Sequence, residues 1–327
     1  MAFRFKLGEP FEDGFRRIAL EQIERASTQL RRDDDQAVAV HETRKALKRL
    51  RALLRLMRPA IGRDAFKSEN AELRDIGRSL SGARDRHVLL ETANKLDAAG
   101  GFGRRGVVER LRQAIAAANG AGEPLSLSAA DERLGECGKR LATMAVTGEG
   151  FAIVGDGLKR CYREARDAFQ SAYASPSDEA FHEWRKGAQR HWRQMALLSR
   201  GWPDYLDARA GEARALSQLL GDDHDLAILV AFVHSDAASG LAGETAALIE
   251  TAARKRQDEL RAVARPHGDR LFADSAKQLT RNVAAYWDAA VRLKEQESNE
   301  EPAPVAKRVR RTTAAPRRRG QAAPSKA

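Results

Sequence analysis

The chain has 327 residues, enough for one large domain or two smaller ones, and a formal net charge of +11. Its two cysteines, Cys137 and Cys161, have neither metal-site spacing nor the number that a disulfide framework needs. The N-terminal residues lack an apolar signal region, and no segment is long and apolar enough for a bilayer span. These features argue against a disulfide-rich secreted domain and an inserted membrane protein, and we predict a cytoplasmic location.

Apolar residues recur at helical spacing along most of the chain, whereas strand-like alternation is scarce. We therefore predict an all-α fold. Gly-rich segments separate some of the predicted helices, and one of these segments lies near residues 148–157, at the middle of the chain. The predicted helices are 11–31, 36–57, 64–81, 84–98, 104–119, 129–145, 156–173, 177–199, 204–220, 224–237, 242–265 and 269–294.

The last predicted segment, 295–327, has no apolar periodicity. It opens with EQESNEE and ends in KRVRRTTAAPRRRGQAAPSKA, and such a sequence cannot build a core. We predict a disordered basic tail, with two open interpretations: a solubilising segment, or an arm that contacts a polyanion such as nucleic acid.

The second predicted helix contains a motif that returns later in the chain. Residues 40–56 read VHETRKALKRLRALLRL, and residues 181–197 read FHEWRKGAQRHWRQMAL. Both place His-Glu, one spacer and Arg-Lys after an apolar residue. Two further segments, LSGARDRHVLL and LLGDDHDLAIL, align as well. The recurrence predicts an internal duplication, with halves of about 1–147 and 148–294 in a helical domain covering 1–294.

The basic residues of each copy fall on one side of a helix, which turns about 100° per residue. In the first copy they lie opposite an apolar face that we expect to enter the core. His191 lies on the packed side of the second copy, so we predict a structural role for it. The two basic stripes contain His41, Arg44, Lys45, Lys48, Arg49, Arg51 and Arg55 in the first copy, and His182, Arg185, Lys186, Arg190 and Arg193 in the second.

A solvated helix surface is one interpretation of these stripes. However, residues 43–58 contain seven cations and no carboxylate, and like charges at helical spacing repel each other. The absence of compensating acids, together with the repetition, favours a site that binds anions. Asp85 and Asp225, at matching positions of the second pair of segments, are predicted either to cap a following helix or to hold a neighbouring arginine.

The duplicated His-x-x-Arg-Lys helix, with the later Arg84-Asp85 and His224-Asp225 pairs, resembles the CHAD family of conserved histidine α-helical domains, from about Phe3 to Leu293. The resemblance implies two pseudo-symmetric antiparallel helical bundles that bind inorganic polyphosphate through basic residues. The resemblance also implies that Arg84 and His224 bind the ligand, in addition to the residues of the two stripes. Gln189 stands where the first copy has Lys48, which predicts weaker binding by the second half.

Two other functions stay open at this stage. The net charge and the arginine-rich tail suit nucleic-acid binding, although the stripes lack the interleaved aromatics that stack bases. The run Asp222-Asp223-His224-Asp225 suits a metal-dependent phosphohydrolase, but the zinc-protease motif HExxH and P-loop motifs are absent. We therefore expect a non-catalytic protein with no metal or cofactor, associated with polyphosphate granules or the nucleoid. The sequence does not determine the oligomeric state.

Overall fold

The structure is a computed structural model that describes residues 3–32, 35–80, 84–102, 106–118 and 126–299. The described residues form eleven α-helices and two short 3-10 helices, with no strand, and this confirms the predicted all-α class. The α-helices are α1 (Phe11–Leu30), α2 (Gln36–Ile61), α3 (Arg63–Ser79), α4 (Arg84–Ala98), α5 (Val107–Ala117), α6 (Leu127–Ala142), α7 (Ala152–Ala174), α8 (Asp178–Leu198), α9 (Pro203–Val233), α10 (Gly243–Leu271) and α11 (Ala276–Asn299).

One predicted helix boundary is wrong. The sequence predicts a break between 220 and 224, but α9 runs without interruption from Pro203 to Val233. The polar residues at this point do not form a loop because they have partners on other helices. Asp223 is buried and accepts a hydrogen bond from Arg261, and His224 contacts His182. Asp225 therefore lies inside a helix, and of the two roles predicted for it, capping a following helix is wrong.

The two helices that contain the repeated motif begin at side-chain caps. The carboxylate of Asp35 accepts hydrogen bonds from the backbone nitrogens of Ala37 and Val38 at the start of α2. Ser177 accepts one from the nitrogen of Ala180 at the start of α8. Such caps satisfy backbone donors that the first helical turn leaves without partners. They define where each helix starts.

The apolar faces of α2 and α8 are buried as the periodicity predicts. Leu50, Leu54 and Met57 of α2 and Trp184 and Met195 of α8 are at most 1% exposed. They belong to a large apolar cluster that also takes in residues of α1, α3, α6, α7 and α11. Burial of these faces directs the basic sides of α2 and α8 away from the core.

The helix α7 crosses α2 at very short range. Gly157 of α7 is buried, and a Cβ atom at this position would lie 1.7 Å from the carbonyl oxygen of Leu56. Only a glycine permits this approach. A second apolar cluster joins α4 and α5 to the end of α9 and the start of α10. Together these contacts place α2, α4, α8 and α9 around a common space.

The predicted start of the tail at 295 requires a correction, because α11 continues to Asn299. The rest of the predicted tail, 300–327, lies outside the described residues. The internal duplication and the division into halves stay predictions. Among the helices that the structure describes, none has the length and apolar character needed to cross a membrane.

Candidate functional site

The basic sides of α2 and α8 face a shared cavity. Its volume is about 660 Å³, and its walls also include Val88 of α4 and Asp225 and Ile228 of α9. Eight of the described residues that line it are lysine or arginine, and two are carboxylates. The cavity therefore concentrates positive charge between two helices that lie far apart in the sequence.

Ten of the fourteen residues predicted to bind the ligand line this cavity. Four come from α2, five from α8 and one from α9, so the structure brings the two repeated motifs together. These residues are Arg44, Lys48, Arg51, Arg55, His182, Arg185, Lys186, Arg190, Arg193 and His224.

The other four predicted residues lie elsewhere or are not described. His41 and Lys45 are exposed near the start of α2, outside the lining of the cavity. Arg49 is half-buried, with its guanidinium over the ring of Phe3 at 5.9 Å. Arg84 begins α4, but its side chain lies outside the described part of the structure.

Each motif contains a local ion pair with the same spacing. The Nζ atom of Lys45 lies 2.7 Å from the carboxylate of Glu42, and Lys186 pairs with Glu183 in the same way. Exposed pairs of this kind contribute little to stability. They show that the shared order of residues in the two motifs gives the same Glu–Lys pair on α2 and on α8.

Burial and mutual repulsion make the charged state of several cavity arginines less favourable than in water, although they stay charged at neutral pH. Burial, together with Arg55 and Arg74, lowers the pKa of Arg51 to about 10. Burial and the neighbouring Arg49, Arg185 and Arg214 lower the pKa of Arg193 to about 9. Burial is the largest cause of both lowered pKa values, and repulsion from neighbouring cations adds to it. A polyanion in the cavity would offset that repulsion.

Two of the arginines also contain hydrogen-bond donors that the described residues do not satisfy. Arg193 is only 8% exposed; one terminal nitrogen donates to the carbonyl oxygen of Gln189, while its Nε has no hydrogen-bond partner there. The Nε of Arg190 is likewise buried without an acceptor, although Arg190 pairs with Glu164 at 3.3 Å. Unsatisfied buried donors are costly. Both nitrogens are inaccessible, so an anionic ligand would contact the terminal guanidinium nitrogens of the cavity arginines instead.

His182 and His224 form a pair in the wall of the cavity. Their Nδ1 atoms lie 3.1 Å apart and their ring centroids 4.1 Å apart. Burial and the nearby Lys186 and Arg185 lower the pKa of His182, against the opposing effect of Glu179 and Glu183. Burial and the same cations, with His182, lower the pKa of His224 to about 4, against Asp178. Both shifts favour the neutral form of the rings near pH 7.

The acidic run on α9 is not arranged as a metal site. The carboxylate of Asp223 is buried and lies 2.7 Å from Arg261, which also binds Asp178. In the part of the chain that the structure describes, no three His, Cys, Asp or Glu side chains are placed to hold a metal ion. The contacts of Asp223 with Arg261 and Gln257 join α9 to α10.

The structural role predicted for His191 is confirmed. This residue is 1% exposed, packs against the rings of Tyr162 and Phe272, and accepts a hydrogen bond from Arg209. The sequence did not identify Val88 and Ile228 as cavity residues. Both are apolar and lie at matching positions of the second pair of repeated segments, LSGARDRHVLL and LLGDDHDLAIL, and a search for charged ligand-binding residues passes over them.

The fold and the cavity define a class of helical protein in which two basic helices, distant in sequence, enclose one cationic cavity. A family model for the CHAD domain matches residues 17–234, more than half of the chain, and the protein belongs to the CHAD domain family. The match spans both repeated motifs and ends just after α9. No curated protein matches the chain significantly.

Proposed function

We propose that this protein binds inorganic polyphosphate in the cavity between α2 and α8, without catalysing a reaction. The observation that carries the proposal is the convergence of eight lysine and arginine side chains on one cavity of about 660 Å³. The CHAD family is associated with polyphosphate binding and is generally non-catalytic, which supports the same conclusion.

The chemistry of the cavity suits a chain of phosphates. Arginine offers a planar set of donors to phosphate oxygens, and lysine offers a compact charge. Cations fixed on rigid helices can contact successive phosphates of the chain. Polyphosphate has no sequence, so the protein needs no sequence-specific contacts. Because binding displaces counterions from the polyanion, affinity should fall as the salt concentration rises.

Nucleic acid is the alternative polyanion. The described residues that line the cavity include no Phe, Tyr or Trp, so bases have no aromatic side chain there on which to stack. We also predict that the protein associates with polyphosphate granules or the nucleoid. We further predict that the tail contributes to DNA binding.

A competition experiment tests the choice of ligand. Labelled long-chain polyphosphate is bound to the full chain at one fixed salt concentration, and unlabelled polyphosphate or DNA is added at equal phosphate concentration. We expect polyphosphate to displace the probe at much lower concentrations than DNA. Equal or better competition by DNA would instead identify a general nucleic-acid-binding protein.

The histidine pair predicts that binding strengthens as the pH falls. In the free protein the pKa values of His182 and His224 are lowered, which favours the neutral form of both rings near pH 7. A bound polyanion should raise the pKa of the pair. An Nδ1–Nδ1 distance of 3.1 Å accommodates one donor and one acceptor, so we expect the pair to take up one proton at most on binding. Between pH 8 and pH 6 the affinity should therefore rise, by at most about tenfold per pH unit for each proton bound.

Calorimetry in buffers with different ionisation enthalpies would measure this proton uptake. Long-chain polyphosphate is used as the ligand so that its terminal phosphates contribute little to the measured proton uptake. The variant His182→Gln/His224→Gln should bind with little change between pH 8 and pH 6. If the wild type and this variant have the same pH dependence, the histidine pair has no part in the coupling.

A further inference from the structure

A second basic cavity lies beside the first. Its volume is about 250 Å³, and it shares Arg44, Lys48 and Arg51 with the main cavity. Its opposite wall is the last part of α3, where Arg74 and Arg78 lie one turn apart. The side chains of α2 that separate the two cavities are thus themselves cationic.

Contacts between α2 and α3 hold this second cavity in a fixed position. A terminal nitrogen of Arg44 donates to the carbonyl oxygen of Gly77 at 2.9 Å. The Nε atom of Arg51 donates to the side chain of Asn70 at 3.1 Å. Arg51 therefore spans the boundary, with Arg55 on the main-cavity side and Arg74 on the other, and both repel its charge.

The cations of α3 are available to an anionic ligand. Arg74 and Arg78 lie 3.1 Å and 3.7 Å from the carboxylate of Asp75, and their side chains are 50% and 72% exposed. Ion pairs as exposed as these contribute little free energy. Phosphate oxygens can therefore compete with Asp75 for both guanidinium groups.

We propose that Arg74 and Arg78 form a second phosphate-binding subsite, continuous with the main cavity, so that the protein prefers polyphosphate chains long enough to occupy both. This inference rests on the proposed function. The cations of α2 from Arg44 to Arg55 extend over roughly 16 Å at 1.5 Å per residue, with α3 beyond them. A short oligophosphate reaches only one cavity, whereas a long chain continues into the next.

The test compares two ligands and two variants of the full chain. Arg74→Gln/Arg78→Gln removes the proposed subsite. Lys277→Gln/Arg281→Gln is the matched control, since it also removes two exposed cations one turn apart, on α11, and neither residue lines a cavity described above. Tripolyphosphate and long-chain polyphosphate are each titrated across a salt series.

For Arg74→Gln/Arg78→Gln we expect long-chain affinity to fall about tenfold and the slope of log affinity against log salt to decrease by up to about 2, because each phosphate contact contributes close to one unit. Tripolyphosphate affinity should match that of the control. Equal long-chain binding by the two variants would overturn the second subsite and leave the main cavity as the proposed site. Equal losses for both ligands would overturn the chain-length preference. If the wild type binds neither ligand, the proposed function itself fails.

Discussion

Replacement of Lys48 and Arg185 by glutamate is expected to weaken polyphosphate binding by at least about 100-fold. The two residues face the same cavity from α2 and α8. Each hydrogen bond to a charged group contributes about 1.5–3 kcal/mol, and about 1.4 kcal/mol corresponds to a tenfold change in affinity. The new carboxylates also repel phosphate, so the loss should exceed that of a neutral substitution.

The fold should survive these two substitutions. Both side chains lie on the cavity side of their helices, and replacing cations in a cationic cavity removes repulsion. Far-ultraviolet circular dichroism and thermal unfolding would verify the fold, and fluorescence titration would give the affinity. Lys277→Glu/Arg281→Glu changes the net charge by the same amount on exposed positions of α11. If this control loses as much affinity as the cavity variant, net charge rather than the cavity determines binding.

The substitution Gly157→Ala should destabilise the protein by about 3 kcal/mol or more, at or above the upper end of the usual cost of overpacking. The new methyl group would lie 1.7 Å from the carbonyl oxygen of Leu56, and backbone cannot rotate away as a side chain can. α2 and α7 would have to separate. Because α8 packs against α7, this separation should also disturb the cavity and reduce polyphosphate affinity.

Gly135→Ala provides a control at another helical glycine. Gly135 is exposed on α6, and a Cβ atom there meets no atom within 4 Å. Alanine favours a helix by up to about 1 kcal/mol relative to glycine, so this variant should be neutral or more stable. Urea unfolding of both variants gives the free energies of unfolding. A Gly157→Ala protein as stable as Gly135→Ala would mean that the crossing of α2 and α7 is looser than the structure describes.

The helical fold and most of the site follow from periodicity, because burial of one helix face determines where the other points. Leu50 and Trp184 enter the core, and Lys48 and Arg185 consequently face away from it. The same argument cannot predict that two such faces meet. That result depends on the close contact at Gly157, whose partner lies 101 positions earlier at Leu56.

Local sequence rules failed where tertiary partners outweigh them. Gly221 and four polar residues after it indicate a loop, yet α9 continues through them because Asp223 binds Arg261 and His224 contacts His182. The cations of α3 were also missed. Nothing in the local sequence of Arg74 indicates that α2 lies beside it across a cavity.

The central claim is that α2 and α8 supply one polyphosphate site rather than two. Calorimetric titration with tripolyphosphate of the wild type, Lys48→Gln and Arg185→Gln tests it most directly. A shared site predicts that each single variant weakens the same tightest binding event, with its stoichiometry unchanged. If each variant instead keeps full-affinity binding at half the wild-type stoichiometry, the two helices bind phosphate independently and the shared-cavity account is contradicted.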